Sequence, residues 1–361
     1  MKNLHKILCF LVLFFVAPAS VILANEHAPG EPKKELDVRE FILEHVGDSY
    51  VWHVTKWGEN EISIPLPVIV YSQQTGLHLF LSSVFHENPV YEGFTISTTE
   101  PYKGKIVEIT AQGTEVRPFD ISITKVAFSL IFSSIILILL IMSVAKSYKK
   151  DSHEAKGGFV GFMEMLIMNI NDDVIKPCIG KDYRKYSPYL LTVFFFVFIN
   201  NLMGLIPFFP GGANVTGNIA ITFVLAVFTF VIVNVSGSRE YWREIFWPDV
   251  PLWLKAPIPL MPVIELVGVI TKPFALMIRL FANMIAGHSI VLGLTCLIFV
   301  TVSMGQAMNT SMTIVSVLLS IFINIVELLV AYIQAYIFTM LSAVFIGLAR
   351  VEPHHKKEEH K

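Results

Sequence analysis

Residues 263–304 read VIELVGVITKPFALMIRLFANMIAGHSIVLGLTCLIFVTVSM, a largely apolar stretch of about 40 residues. An α-helix rises about 1.5 Å per residue, so this stretch would extend about 60 Å, whereas the hydrocarbon core of a bilayer is only about 30 Å thick. A second apolar stretch of nearly the same length follows at 311–349. Both segments therefore predict helices that lean about 60° from the membrane normal or break, with Pro273 as the candidate break point.

The composition of the whole chain agrees with a membrane protein. Of 361 residues, 54% are hydrophobic and 16% are charged, and the mean hydropathy is +0.61. A soluble domain of ordinary composition is less apolar and more charged. The formal net charge of −2 gives no electrostatic argument for binding nucleic acid.

Three further segments have the length of a simple membrane span. Residues 126–145, 188–207 and 217–236 each lack a charged residue over about 20 positions, which is what a spanning helix requires. Together with the two long segments, they predict an all-α polytopic membrane protein with about five membrane helices, in a membrane domain over 121–350. Residues 157–174 show helical periodicity and predict a helix at the membrane surface, although an ordinary loop helix fits equally well.

The N-terminal third differs from the rest. Residues 1–24 combine Lys2 and Lys6 with an apolar run and small residues, which predicts a secretory signal peptide; a short uncleaved anchor is the alternative. Residues 25–120 are polar and mixed, and predict a small external α/β cap. In it we expect a short helix after Asp37 and strands at 50–54, 77–81, 95–99 and 105–110.

The distribution of basic residues predicts the orientation. Eight Lys and Arg residues fall between the first two spans, from Lys146 to Lys185, whereas the loop at 208–216 carries no charge. By the positive-inside rule, the basic loop is cytoplasmic. The cap is then external and the tail at 351–361 cytoplasmic.

Ionisable residues inside the membrane are confined to the two long segments. The first contains Glu265, Lys272, Arg279 and His288, and the second contains Glu327. An Arg near the centre of a membrane helix costs about 2.5–3.5 kcal/mol on insertion scales, so it normally faces a partner or a water-filled cavity. A structural ion pair between Arg279 and Glu327 is the alternative interpretation.

The motifs of self-contained enzymes are missing from the sequence. HExxH, GxSxG, GxGxxG and the P-loop do not occur, and neither Cys178 nor Cys296 has a Cys or His neighbour at the spacing of a metal site. The sequence therefore predicts no bound cofactor, no metal and no catalytic site of its own, which argues against an intramembrane protease.

The residues around Arg279 carry a family resemblance. The stretch KPFALMIRLFANMIAGH at residues 272–288 resembles the signature of the ATP synthase a subunit around its essential arginine. The run FINNLMGLIP at residues 198–207 and the segment from Glu327 to Gln334 support it, and the resemblance extends over about 36–349. It implies a proton-translocating stator subunit whose two long helices form a strongly tilted hairpin against a rotating ring of c subunits. The expected partners are that ring, the b-subunit peripheral stalk, the remainder of the complex and the lipid bilayer; the expected ion is H⁺, with Na⁺ as the alternative.

The resemblance also implies roles for individual residues. Arg279 matches the essential arginine that faces the rotor carboxylate, Asn283 the polar residue one turn later, and Gln334 the glutamine near that arginine. His288 and Glu327 occupy positions at which many bacterial members have the reverse pair, so the two side chains should meet, in the half-channel on the external side. Glu265 and Lys272 match further ionisable positions, and Glu265 is a candidate for the cytoplasmic exit.

Each of these roles has a plainer alternative. His288 could be a hydrogen-bonded core histidine, and Asn283 and Gln334 could join helices without taking part in transport. A secondary transporter or channel would also bury charges along a pathway. That class predicts internal inverted repeats, and the sequence contains no such pairing of segments.

Overall fold

The computed structural model describes residues 38–57, 60–110, 113–150, 157–206, 209, 211–247 and 260–350. The predicted signal peptide and the predicted cytoplasmic tail lie outside the described residues. By their internal contacts the residues divide into two compact units. The first comprises Met1–Ser133, Met203–Val215 and Ala286–Glu327, and the second comprises Ser134–Leu202, Thr216–Ile285 and Leu328–Lys361.

The described N-terminal part of the first unit is a small α/β region. Its helices are α1 (Val38–Val46) and α2 (Val84–Glu87). Its strands are β1 (Val51–Trp57), β2 (Asn60–Pro65), β3 (Pro67–Ser72), β4 (Gly76–Leu81), β5 (Phe94–Ile96), β6 (Ile106–Ile109), β7 (Glu115–Val116) and β8 (Phe119–Asp120). They form three antiparallel sheets, β1-β2, β4-β3-β8 and β5-β6-β7.

This region contains more strand than the sequence predicted. The expected segments at 50–54, 77–81, 95–99 and 105–110 correspond to β1, β4, β5 and β6, whereas β2, β3, β7 and β8 were not predicted. Strand β3 begins at Pro67 and is the central strand of its sheet. A proline is tolerated at the first residue of a strand, where its missing N–H removes no essential ladder bond.

Contacts within the first unit hold this region against the start of the next helix, α3 (Lys125–Lys150). The backbone N–H of Lys125 donates to the carbonyl of Ser49 at 2.8 Å, and that of Val126 donates to the Asp48 carboxylate at 3.1 Å. The Trp52 ring packs edge-on against Phe128, in the first turn of α3, with centroids 5.8 Å apart. The Asp48 carboxylate therefore satisfies a free N–H group at the start of α3 and links the N-terminal region to that helix.

The remaining elements are nearly all helical. They are α4 (Gly158–Asn169), a π-helical turn (Ile170–Ile175), α5 (Lys176–Ile179), a 3₁₀ turn (Gly180–Asp182), α6 (Tyr183–Leu205), α7 (Ile219–Ser236), α8 (Arg239–Phe246), α9 (Leu260–Thr301), a 3₁₀ turn (Val302–Met304) and α10 (Gln306–Ala349). Within the described residues, five helical segments are long and apolar enough to cross a membrane. This confirms the predicted fold class of about five membrane helices, the last two overlong, with a small N-terminal β-containing region.

The segment predicted as a surface helix at 157–174 is α4 with the π-helical turn after it. Helical structure continues through α5 and the 3₁₀ turn into α6. The predicted surface helix and the predicted span at 188–207 therefore follow each other with almost no loop. Gly180, at φ 75°, ends α5 and begins the 3₁₀ turn, and this backbone conformation suits glycine.

Helix α9 is not broken at Pro273. It runs for 42 residues with Pro273 inside it, so the candidate break point was wrong. Proline removes one backbone hydrogen bond, but a break would leave several more backbone groups without partners in an apolar phase. Helix α10 runs for 44 residues, and the lean of both helices in a membrane stays a prediction.

The second unit has its own apolar core. Side chains from its parts of α3 to α6, α9 and α10 form one buried cluster that includes Ile170, Leu190, Phe194, Leu280 and Ile346. Helix α10 approaches α5 closely at Gly347. A Cβ at this position would lie 2.0 Å from the carbonyl oxygen of Cys178, so the approach requires glycine.

Candidate functional site

In the second unit, Arg279 lies on the exposed side of α9. Arg279 and Asn283 are both exposed, as are Ala275, Ile278 and Ala282, whereas Leu276, Met277 and Leu280 are buried. Apolar side chains thus fix one face of the helix, and the other face presents a guanidinium, an amide and small residues. Among the residues that the structure describes, the Arg279 guanidinium has no recorded hydrogen bond or ion pair.

Gln334 on α10 contacts Arg279, but through the backbone. Its side chain is 3% exposed, and its Nε2 donates to the Arg279 carbonyl oxygen at 3.2 Å. One turn before Gln334 on α10, the carbonyl of Ala331 accepts a hydrogen bond at 3.3 Å from the buried side chain of Asn201 on α6. The Asn201 side chain in turn accepts a hydrogen bond from Thr216 at 2.6 Å. These buried amides fix the helices around Arg279 while leaving its guanidinium free to meet another group.

In the first unit, the structure brings His288 and Glu327 together. The His288 Nδ1 lies 3.5 Å from Glu327 Oε1, and the side chains are 16% and 11% exposed. The same unit joins the two helices again where Thr301 donates to the Asn309 side chain at 3.1 Å. The exchanged pair noted in the sequence is therefore a spatial pair.

The second ring nitrogen of His288 determines what the pair can do. His288 Nε2 lies 3.1 Å from the carbonyl oxygen of Gly204. A carbonyl only accepts, so Nε2 carries the hydrogen of the neutral ring and Nδ1 carries the free lone pair. Nδ1 is buried and, among the described residues, has no hydrogen-bond partner, and its nearest acidic group is the Glu327 carboxylate. The geometry thus directs this ring nitrogen toward a carboxylate.

A glycine makes room for this pair. A Cβ at position 287 would lie 1.8 Å from Glu327 Oε1, so any side chain larger than hydrogen would displace the carboxylate. Gly293, six residues further along α9, has open space around it and carries no such constraint. Sequence reasoning missed Gly287 and Gly204, because their roles depend on other helices. Both lie inside the two quoted motifs, and this was the only signal for them.

The two remaining candidates belong to the second unit, near α8. Glu265 is half-buried and Lys272 is exposed, with its Nζ 5.9 Å from the Phe345 ring centroid. Burial, and then the Glu265 carboxylate, raise the pKa of Tyr241 above its ordinary value. Lys272 and Tyr241 line a cavity of about 20 Å³ together with Asn234, whose Oδ1 is buried and has no partner among the described residues. A cavity of this size has room for about one water molecule, which Asn234, Tyr241 and Lys272 could bind.

The described residues hold no group of three or more His, Cys, Asp or Glu side chains that could bind a metal ion. The site instead contains an exposed cation, an imidazole–carboxylate pair and a small, mainly apolar cavity with a few polar groups in its wall. These can exchange or steer protons, and none provides a nucleophile with an adjacent base.

Comparison with known proteins gives two family matches. Residues 127–347 match the family model described as ATP synthase A chain, whereas residues 41–122 match a separate model, described as a domain of unknown function. The match to the ATP synthase A chain therefore begins at residue 127, and not at about residue 36 as the sequence predicted. The α/β region before it matches a different family model.

Individual relatives agree with the first match. The chain is 45% identical over 245 residues to "ATP synthase subunit a 2" of Chlorobaculum tepidum, covering 65% of each protein. It is 44% identical over 261 residues to "ATP synthase subunit a" of Chlorobium phaeobacteroides, covering 70% of this chain and 72% of the relative. With "ATP synthase subunit a" of Myxococcus xanthus, the identity is 37% over 243 residues, covering 65% of this chain and 75% of that protein.

Proposed function

Because the chain belongs to the ATP synthase A chain family, we propose that it is the membrane stator subunit that exchanges protons with a rotating ring of c subunits. The b-subunit stalk and the rest of the complex are its further partners. The family membership favours this function over the secondary transporter or channel considered from the sequence.

The exposed guanidinium of Arg279 is the observation that carries the proposal. A charge on an apolar helix face is costly unless another group meets it, and no described residue of this chain does so. Small residues on the same face, Ala275 and Ala282, let a partner helix approach closely. A rotor helix with a single carboxylate would satisfy both features.

The physical chemistry of the encounter gives Arg279 its role. A rotor carboxylate crosses lipid in its protonated form, because an isolated carboxylate there is highly unfavourable. Within about 4–6 Å of Arg279, its pKa would fall by roughly 1–3 units, which favours release of the proton. The guanidinium itself stays protonated, so it cannot pass protons directly across the site.

His288 and Glu327 supply the proton on the external side in this proposal. The imidazole Nδ1 and the carboxylate face each other at 3.5 Å, so a small movement would bring them within hydrogen-bond distance for passing a proton. Glu265, Lys272 and the cavity beside Tyr241 form the exit on the cytoplasmic side. Asn283 extends the polar part of the face that meets the rotor. H⁺ is the proposed ion, and each proton that moves down 100 mV supplies about 2.3 kcal/mol.

The orientation in the inner membrane follows from the basic loop between the first two spans. Lys146, Lys149, Lys181, Arg184 and Lys185 all lie in this part of the chain, which supports a cytoplasmic location for it. The N-terminal region is then external, after cleavage of a signal peptide at 1–24.

The proposal is tested by purifying the chain from its own membrane and reconstituting it into liposomes. We expect it to co-purify with a c-ring and a peripheral stalk, and the complex to pump protons when it hydrolyses ATP. The chain alone should conduct no ions in the same liposomes. Ion transport by the isolated chain, without the other subunits, would contradict the proposal and support a transporter.

A further inference from the structure

The sheet β4-β3-β8 of the N-terminal region presents an apolar surface on its outer side. Its register gives Tyr71 opposite both Leu77 and Phe119, and Ile69 opposite Leu79. The same register continues beyond β8, where the N–H groups of residues 121 and 123 donate to the carbonyls of residues 69 and 67. Residues directly opposite each other lie on one face.

This face, which we call the grid, consists of three rows of three residues. The rows are Leu77, Tyr71 and Phe119; Leu79, Ile69 and Ile121; and Leu81, Pro67 and Ile123. No position carries a charge. Leu79 is 71% exposed, and Phe119 is 68% exposed.

The grid is not the side of the sheet that forms the core. Val68 and Val70 point to the opposite face, where they are fully buried with Tyr50, Phe94 and Ile106. An antiparallel sheet with one buried face usually has a polar face toward water. Here both faces are apolar, so the grid is suited to a second apolar environment.

The position of the grid in the chain indicates which environment that is. Its last row contains Ile123, two residues before α3 begins at Lys125. The cap is fixed to the first turn of that helix by the hydrogen bonds that Asp48 and Ser49 accept and by the packing of Trp52 on Phe128. The grid therefore begins where the chain enters the bilayer.

The size of the grid argues against a second copy of the chain as its cover. Three strands at about 4.8 Å and three rows at about 7 Å give an outline of roughly 300 Å². A stable protein–protein interface buries about 800 Å² on each partner and has a polar rim. The grid is too small and too uniformly apolar for this, whereas aromatic and aliphatic side chains without charge suit the surface of a membrane.

We propose that the grid rests in the headgroup and upper acyl region of the leaflet that α3 enters, so that the cap is a monotopic membrane anchor beside the span. The proposal depends on α3 crossing the membrane and not on the role of Arg279.

The test uses the whole complex in liposomes, with Leu79→Cys in a chain whose native cysteines are replaced by alanine. An environment-sensitive fluorophore on position 79 should emit at shorter wavelength than in water. A lipid that carries a shallow nitroxide should remove roughly half of its fluorescence, because an interfacial face sits about 5–10 Å deep. The matched control is Val116→Cys, which is exposed on β7, outside the grid, and should lose much less.

Two results would overturn the proposal. Emission at shorter wavelength without quenching by the nitroxide lipid would mean that another subunit covers the grid. Emission as in water, with quenching only by a soluble agent such as iodide, would mean that the grid is open to solvent. Labelled complex without Leu79→Cys gives the background from the other subunits.

Discussion

Arg279 on α9 and the pair of His288 on α9 and Glu327 on α10 meet their surroundings in opposite ways. Arg279 is exposed, and only its backbone carbonyl is bound, by Gln334. His288 and Glu327 are each less than one fifth exposed, and they face each other at 3.5 Å. The proposed function accounts for this difference: the pair is complete within this chain, whereas the arginine meets a group on another protein.

The largest effect is expected from Arg279→Ala, which removes the guanidinium that meets the rotor carboxylate in the proposed function. ATP-driven proton pumping should fall roughly 10–1000-fold, because the 1–3 unit depression of the rotor carboxylate pKa is lost. Assembly should be unchanged, since no described side chain depends on the guanidinium. Ile278→Ala, on the same exposed face, is the control and should retain most of the pumping rate in reconstituted vesicles.

The next largest effect is expected at Glu327, and it tests whether His288 and Glu327 act as a pair without a group from another subunit. Glu327→Gln alone should slow pumping about 100-fold, at the low end of the roughly 10²–10⁴-fold contribution of a positioned proton-transfer group. The double exchange His288→Glu with Glu327→His keeps one imidazole and one carboxylate, so it should recover part of that loss. An exchanged variant no faster than Glu327→Gln would show that the two positions do not act as a pair.

A smaller effect is expected from Gly287→Ala. The added Cβ would lie 1.8 Å from Glu327 Oε1 and must displace the carboxylate by a fraction of an ångström or more. We expect pumping to fall about tenfold, as small misplacements in a reacting pair can, even though alanine favours the helix by about 1 kcal/mol. Gly293→Ala has open space and should leave pumping unchanged; equal rates for both variants would contradict the tight fit.

The smallest effect is expected from Gln334→Leu. One interhelical hydrogen bond in a membrane contributes about 0.6 kcal/mol, which corresponds to roughly a threefold change. The pumping rate should fall by about that factor, because Gln334 holds the backbone of Arg279 and not its charge. Asn324→Leu is the control, since that amide donates at 2.8 Å to Ser320 in its own helix. A loss as large as that of Arg279→Ala would mean that Gln334 has a direct role.

The membrane helices could be predicted because their signal is local. Apolar runs of known length give the spans, and the few ionisable residues among them, such as Arg279 and His288, identify the site before any contact is known. The continuous α9 was harder to predict, because the effect of Pro273 depends on what surrounds it. The short strands were missed since β3 and β8 pair across about 50 residues, and no local pattern records that pairing.

The finer features of the site also depend on distant residues. The requirement for glycine at 287 arises from Glu327, 40 positions later, and the tautomer of His288 arises from the carbonyl of Gly204 on another helix. The sequence contains both glycines within the quoted motifs but gives no reason for either. Three-dimensional contacts supply that reason.

The most direct measurement of the central claim is cysteine cross-linking from α9 to the c subunit in the intact complex. Ala282→Cys lies on the exposed face, one turn from Arg279, and Met284→Cys lies on the buried face. We expect Ala282→Cys to form a disulfide with a cysteine placed beside the rotor carboxylate, and Met284→Cys to form none. Absence of the Ala282 cross-link, or an equal yield from Met284, would contradict an Arg279 that faces the rotor.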